Sequence, residues 1–174
     1  MKNINFSNKR KFFYDCEFME KPGFLQLISI GVISEEGREF YACNSDADLR
    51  KANSWVKGNV IPILPDKSSN NIWKKEDTIR NEIFSFLNPS EDDPVELWGY
   101  YCDYDHVLMS WLFGRMVDLP KGMPMYTLDV RQLIYHMENI SVPDQKSGQH
   151  NALEDARWVK ETYDYLRKVE QWDL

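Results

Sequence analysis

The chain has 174 residues, of which 43% are hydrophobic and 14% aromatic, and a formal net charge of −7. This describes one globular domain with a sizeable core, not a disordered chain and not two comfortable domains. The acidic balance excludes a protein that coats duplex nucleic acid through a basic face, and no apolar run reaches bilayer-spanning length.

In chain order, residues 11–19 read as a first strand and 24–34 (FLQLISIGVIS) as a second, so continuous in apolar and β-branched residues that it is expected at the centre of a sheet. A Glu-Glu-Gly turn returns the chain as a third strand at 39–43, completing an antiparallel meander. Ser45 is placed to cap a helix over about 46–57, and Pro62 and Pro65 punctuate the loop after it. Ile79, Ile83, Phe84 and Leu87 fall at helical spacing within 75–87. A short apolar strand is expected at 95–101, a helix at 105–113, a fifth strand at 125–130 and a helix at 131–137. Residues 141–149, polar and carrying Pro143 and Gly148, read as a loop. The last helix begins near Asn151, with Ala152, Ala156, Val159, Tyr163 and Leu166 as its buried stripe. Alternating strand and helix after residue 90 calls for parallel strands with crossover helices. The expected fold class is α/β: a mixed five-stranded sheet, meander first and parallel strands after, flanked by helices in a single domain over 1–174 with its core at about 11–170.

Cys16, Cys43 and Cys102 form no C-x-x-C pair, so neither a disulfide framework nor a zinc knuckle is expected. The basic start, MKNINFSNKRKFF, lacks the apolar core of a signal peptide, and the expected compartment is the cytoplasm.

The first strand, FFYDCEFM, poses a problem of its own. Residues two apart share a face of a strand, so Asp15 and Glu17 project together while Tyr14, Cys16 and Phe18 face the other way. Two like charges so placed repel, and keeping both ionised takes solvent, a basic partner or a metal cation. Alone, the pair reads as the wet face of an edge strand. Asp105 at the end of the fourth strand and Asp155 in the first turn of the last helix each read, alone, as a helix-terminal carboxylate. Functional groups of an open α/β sheet gather at just such places, and an oxygen-rich cluster suits Mg²⁺ or Mn²⁺. His150, five residues before Asp155, gains meaning beside such a cluster, where an imidazole can take a proton from water.

D-x-E in the first strand, Tyr104-Asp105 after the fourth and H-x4-D at the last helix together resemble the motif set of the DEDD exonucleases. The similarity is to their histidine-bearing DEDDh branch on a ribonuclease H-like fold; the tyrosine-bearing branch would need Tyr where Asn151 stands. YDCEF, LISIGVI, GREFYA, ELW before YDHV, and HNALEDAR are similar to segments of the bacterial polyadenylate-specific 3′-exoribonuclease AS family, and they spread from about residue 13 to 157. The resemblance implies a metal-dependent 3′-5′ exoribonuclease that releases nucleoside 5′-monophosphates from single-stranded or overhanging RNA 3′ ends. It implies two Mg²⁺ or Mn²⁺ ions held by Asp15, Glu17, Asp105 and Asp155, with Asp15 shared between them and His150 as general base. Asp103 is set aside because the pattern puts the ligand directly after an aromatic residue, and Asp129 is read as a supporting or surface residue. Met19 departs from the small polar residue of many relatives. Phe18 and Met19 are candidates to pack on the terminal base, against an equal expectation of core packing; Trp98 and Trp111 are expected in the core. Some members of that subgroup are homodimers. The competing readings are an exonuclease of single-stranded DNA, a non-catalytic nucleic-acid-binding protein of the same fold, and a phosphatase with a nucleophilic Asp.

Overall fold

The alternating apolar pattern of the first strand and the unbroken one of the second build the sheet from its middle outwards. In the computed structural model, which describes residues 9–68, 71–137 and 140–169, β1 (Arg10–Lys21) and β2 (Phe24–Ser34) pair antiparallel, and β3 (Glu39–Asn44) extends the meander. β4 (Trp73–Lys74) adds in parallel to β3, β5 (Val95–Gly99) in parallel to β1, and β6 (Leu128–Asp129) in parallel to β5. The sheet order is β4-β3-β2-β1-β5-β6, with the two longest strands inside. Residues 1–8 of the basic start lie outside the described residues, and its Arg10 and Lys11 open β1.

Among the described residues five α-helices accompany the sheet: α1 (Ser54–Asn59), α2 (Glu76–Leu87), α3 (Asp103–Phe113), α4 (Val130–His136) and α5 (Ala152–Val169). The two faces of β1 sort its side chains into two layers. Phe12, Tyr14 and Cys16 pack with Ile79, Ile83 and Leu87 of α2 and Leu108, Met109 and Leu112 of α3. Phe13 faces the opposite way, onto Ala156, Val159, Tyr163 and Leu166 of α5 and Val130 and Leu133 of α4. Met19 and Ile28 join Val56 of α1 in a third cluster. No helix among the described residues is long and apolar enough to cross a membrane.

Three expectations change. Among the described residues the sheet has six strands, not five, because a two-residue strand such as β4 is too short to display a period-two pattern. The helix expected over 46–57 is two pieces, a 3-10 turn at Leu49–Lys51 and α1; Asn53, not Ser45, is its N-cap, accepting from Val56 N at 2.8 Å. The fifth strand shortens to Leu128–Asp129, since the Asp129 carboxylate accepts from Arg131 N at 2.7 Å and starts α4 at once.

Candidate active site

Asp15 and Glu17 share the face of β1 that looks toward α5. Across the antiparallel ladder Asp15 lies opposite Gly31 and Glu17 opposite Ser29, and the register shifts immediately after Glu17. Gly31 is what lets the start of α5 sit down on these acids. A Cβ there would lie 2.4 Å from Ala152 O, Leu153 N and Leu153 Cα, all backbone atoms that cannot rotate away. Gly31→Ala is therefore expected to destabilise the fold by roughly 1–3 kcal/mol, the usual cost of overpacking, and to lose most of the chain's activity by lifting α5 off β1. Urea unfolding and a turnover assay check this together; full activity would show that the close approach is dispensable.

The ladder between β1 and β5 ends at the Phe13–Trp98 pair, which frees the next backbone donors of β1. Asp105 takes one of them: its Oδ1 accepts from Cys16 N at 2.8 Å. Gly99 permits the tight return from β5 into α3, because a Cβ there would meet Cys102 Cβ at 2.5 Å. Asp105 is 5% exposed, whereas Asp103, two residues earlier on the same helix, is exposed to solvent. Asp129 caps α4 by accepting from Arg131 N and also accepts from Tyr101 N at 3.2 Å.

At the start of α5, Asn151 Oδ1 accepts from Leu153 N at 3.1 Å and Glu154 N at 3.3 Å, capping the helix. His150, just outside the cap, has φ of 67° in the left-handed region, and its N–H donates to Asp155 Oδ2 at 2.9 Å. The other Asp155 oxygen accepts from Gln145 Nε2 at 2.5 Å. The His150 ring meets Trp55 of α1 edge to face, with centroids 4.8 Å apart and planes at 81°. Helix start, loop and α1 thus converge on β1, and one ligand atom each of Glu17, His150 and Asp155 lies within 4.8 Å of the others.

The electrostatics of this cluster are one-sided. Burial raises Asp15 well above the ordinary carboxylate range, and the nearby charges of Asp105, Asp155 and Glu17 raise it further. Glu17, 8% exposed, is pushed up to about 8 by burial, by Asp155 and Asp105, and by a hydrogen bond with the Asp155 carboxyl. Burial pushes Asp105 to about 7 against the opposing pull of the Cys16 N–H. Asp155 is raised by burial, partly offset by Gln145 and the His150 N–H. Among the described residues no Lys or Arg forms an ion pair with any of the four. Four mutually repelling oxygen donors without a protein cation, with an imidazole alongside, fit divalent metal.

A pH dependence follows from the signs. These carboxyls hold their protons more tightly folded than unfolded, so the metal-free fold gains stability below about pH 4, where the unfolded chain is also protonated. It loses that stability as pH rises through about 7 for Asp105 and about 8 for Glu17. Melting in EDTA is expected to weaken from pH 5 to pH 8, and the increment from added Mg²⁺ to be larger at pH 8 than at pH 6. Equal melting with Mg²⁺ and EDTA at both values would count against a cation at this cluster.

Of the two residues considered for a terminal base, Phe18 is partly buried and meets Tyr104 edge to face at 5.6 Å, whereas Met19 is 2% exposed and packs in the cluster with Ile28 and Val56. Met19 thus offers no free surface to a base. Two residues at the site carry no sequence signal: Trp55 is 95 residues from His150, and Gln145 sits in a loop without periodicity.

The sequence matches the family model for the 3'-5' exoribonuclease Rv2179c-like domain over residues 10–166. It is 40% identical over 147 residues, 84% of this chain and 87% of the relative, to the 3'-5' exoribonuclease Rv2179c of Mycobacterium tuberculosis (strain ATCC 25618 / H37Rv). Among solved structures it resembles S. pombe Pop2p in its Mg²⁺- and Mn²⁺-bound form, with a TM-score of 0.61 at 13% identity, covering 91% of this chain and 82% of that one. It is similarly close to the nuclease domain of 3'hExo, a DEDDh family member bound to rAMP, with a TM-score of 0.61 at 9% identity, covering 94% and 92%. At these identities the structural likeness concerns the fold.

Proposed function

We propose a mechanism from one premise: the chain belongs to the 3'-5' exoribonuclease Rv2179c-like domain family. It is a 3'-5' exonuclease hydrolase with a DEDDh fold, and the substrate we assign is the 3′ end of RNA, single-stranded or overhanging. The observation that carries the site assignment is the convergence of Glu17, His150 and Asp155 within 4.8 Å on a face that also holds Asp15 and contacts Asp105.

Asp15, Glu17, Asp105 and Asp155 would hold two Mg²⁺ or Mn²⁺ ions. Bound there, such ions supply charge stabilisation for the attacking and leaving oxygens and lower the pKa of water. They also supply the positive charge that a chain of net charge −7 needs to accept a phosphodiester.

His150 takes a proton from the attacking water onto a free ring nitrogen as the oxygen adds to phosphorus in line with the departing 3′ oxygen. Trp55 holds the imidazole by its edge, and the His150 N–H ties the same residue to Asp155. The main chain that carries the base is thereby tied to a member of the acid cluster. The 3′ oxygen of the shortened strand leaves and takes a proton from solvent, to which His150 returns the one it accepted, and the removed residue departs as a nucleoside 5′-monophosphate.

Matched RNA and DNA oligonucleotides, incubated side by side with Mg²⁺ and resolved by chromatography, test the chemistry. Nucleoside 5′-monophosphates released faster from RNA are expected. Nucleoside 3′-monophosphates would overturn the mechanism, and faster release from DNA would overturn the substrate assignment.

A further inference from the structure

We propose that the groove between α3 and the β1–β2 hairpin binds the RNA nucleotides immediately 5′ of the one being removed. This rests on the 3′-end reaction proposed above and extends the site along the strand. The groove has a volume of about 430 Å³ and is lined by Lys21, Gly23, Phe24, Tyr104, Val107 and Trp111.

One wall is a stripe of α3. Tyr104, Val107 and Trp111 are spaced i, i+3, i+7, so they share a face, and this face is not the one that Leu108, Met109 and Leu112 bury in the core. Trp111 is 54% exposed and Tyr104 50% exposed, which corrects the expectation of Trp111 in the core. The two rings stand about 10 Å apart along the helix axis. Exposing two aromatic rings on one stripe leaves unburied apolar area that a stacking ligand would cover.

The groove is continuous with the acid cluster. Tyr104 directly precedes Asp105, and its ring touches Phe18, which directly follows Glu17. A strand whose terminal phosphodiester lies at the acids is therefore led onto Tyr104 first and Trp111 second.

The opposite wall supplies one cation. Lys21 Nζ lies 5.5 Å from the centre of the Phe24 ring, and no carboxylate pairs with it among the described residues. Glu20 also borders the groove and offsets part of that charge. Aromatic faces beside a single ammonium select single-stranded RNA by stacking rather than by charge, without demanding a particular base.

The test compares a dinucleotide with a decanucleotide of the same 3′ sequence. In the wild type the decamer has the higher kcat/KM, and Trp111→Ala is expected to cut that advantage about tenfold, the scale of one lost base–aromatic stack. Trp111→Phe should restore most of it. Equilibrium binding, with Mg²⁺, of a fluorescent decamer whose 3′-terminal linkage resists hydrolysis, which needs no turnover, is expected to weaken about as much in Trp111→Ala and less in Lys21→Gln. That arm reads the groove even if the exonuclease reaction itself is wrong. An undiminished decamer advantage with undiminished decamer binding, in a Trp111→Ala protein that melts like the wild type, would overturn the proposal. So would self-association that Trp111→Ala abolishes while RNA binding persists, which would assign the groove to a second copy of the chain.

Discussion

Asp15→Asn is expected to reduce turnover by about a thousandfold or more, the rate equivalent of several kcal/mol of lost transition-state charge stabilisation. Asp15 is the acid on which the charges of Asp105, Asp155 and Glu17 all act. Asn preserves the shape of the side chain and its place opposite Gly31, but it lacks the negative charge with which a carboxylate would hold a divalent cation. The same substitution removes one member of a repelling cluster. Melting in EDTA should therefore hold or rise, while the increment from Mg²⁺ largely disappears. A variant with more than a tenth of wild-type activity would remove Asp15 from the centre of the site. Asp103→Asn, on an exposed position of α3, serves as the control and should stay active; a dead Asp103→Asn beside an active Asp105→Asn would exchange their roles.

The second large effect is at His150. Loss of a positioned general base costs about 10²- to 10⁴-fold in rate. The left-handed backbone at this position makes Asn the substitution of choice, because Asn adopts that conformation readily and has no basic nitrogen. His150→Asn is expected to fall within this range in kcat at saturating Mg²⁺ while the thermal increment from Mg²⁺ persists. Activity retained across the pH profile would deny His150 the role of base. Loss of the Mg²⁺ increment together with activity would instead make the imidazole a cation ligand, a part its position within 4.8 Å of Glu17 and Asp155 also allows.

Much of this geometry was legible in the chain because it is periodic. The two-residue spacing of Asp15 and Glu17 put both on one face of a strand, and the stripe Ala156, Val159, Tyr163 and Leu166 identified the helix that closes over it. The closeness of that closure was not legible. It depends on Gly31, whose missing side chain makes room for the backbone of Ala152 and Leu153, and an isolated glycine in an apolar strand does not announce its neighbour. Trp55 and Gln145 were hidden for a related reason, since their contacts with His150 and Asp155 cross between separate elements. Trp111 misled because most of its neighbours, Leu108, Met109, Leu112 and Phe113, are apolar. The buried stripe of α3 runs through Leu108 and Leu112, and Trp111, one residue from the latter, is turned about 100° away from it.

The most direct measurement follows RNA labelled at its 5′ end, incubated with Mg²⁺ or with EDTA and resolved at single-nucleotide steps. A ladder that shortens steadily from the 3′ end with Mg²⁺ and stands still with EDTA is the expected result. Early internal fragments, or shortening that proceeds unchanged in EDTA, would contradict a metal-dependent 3′-end exonuclease built on Asp15, Glu17, Asp105, His150 and Asp155.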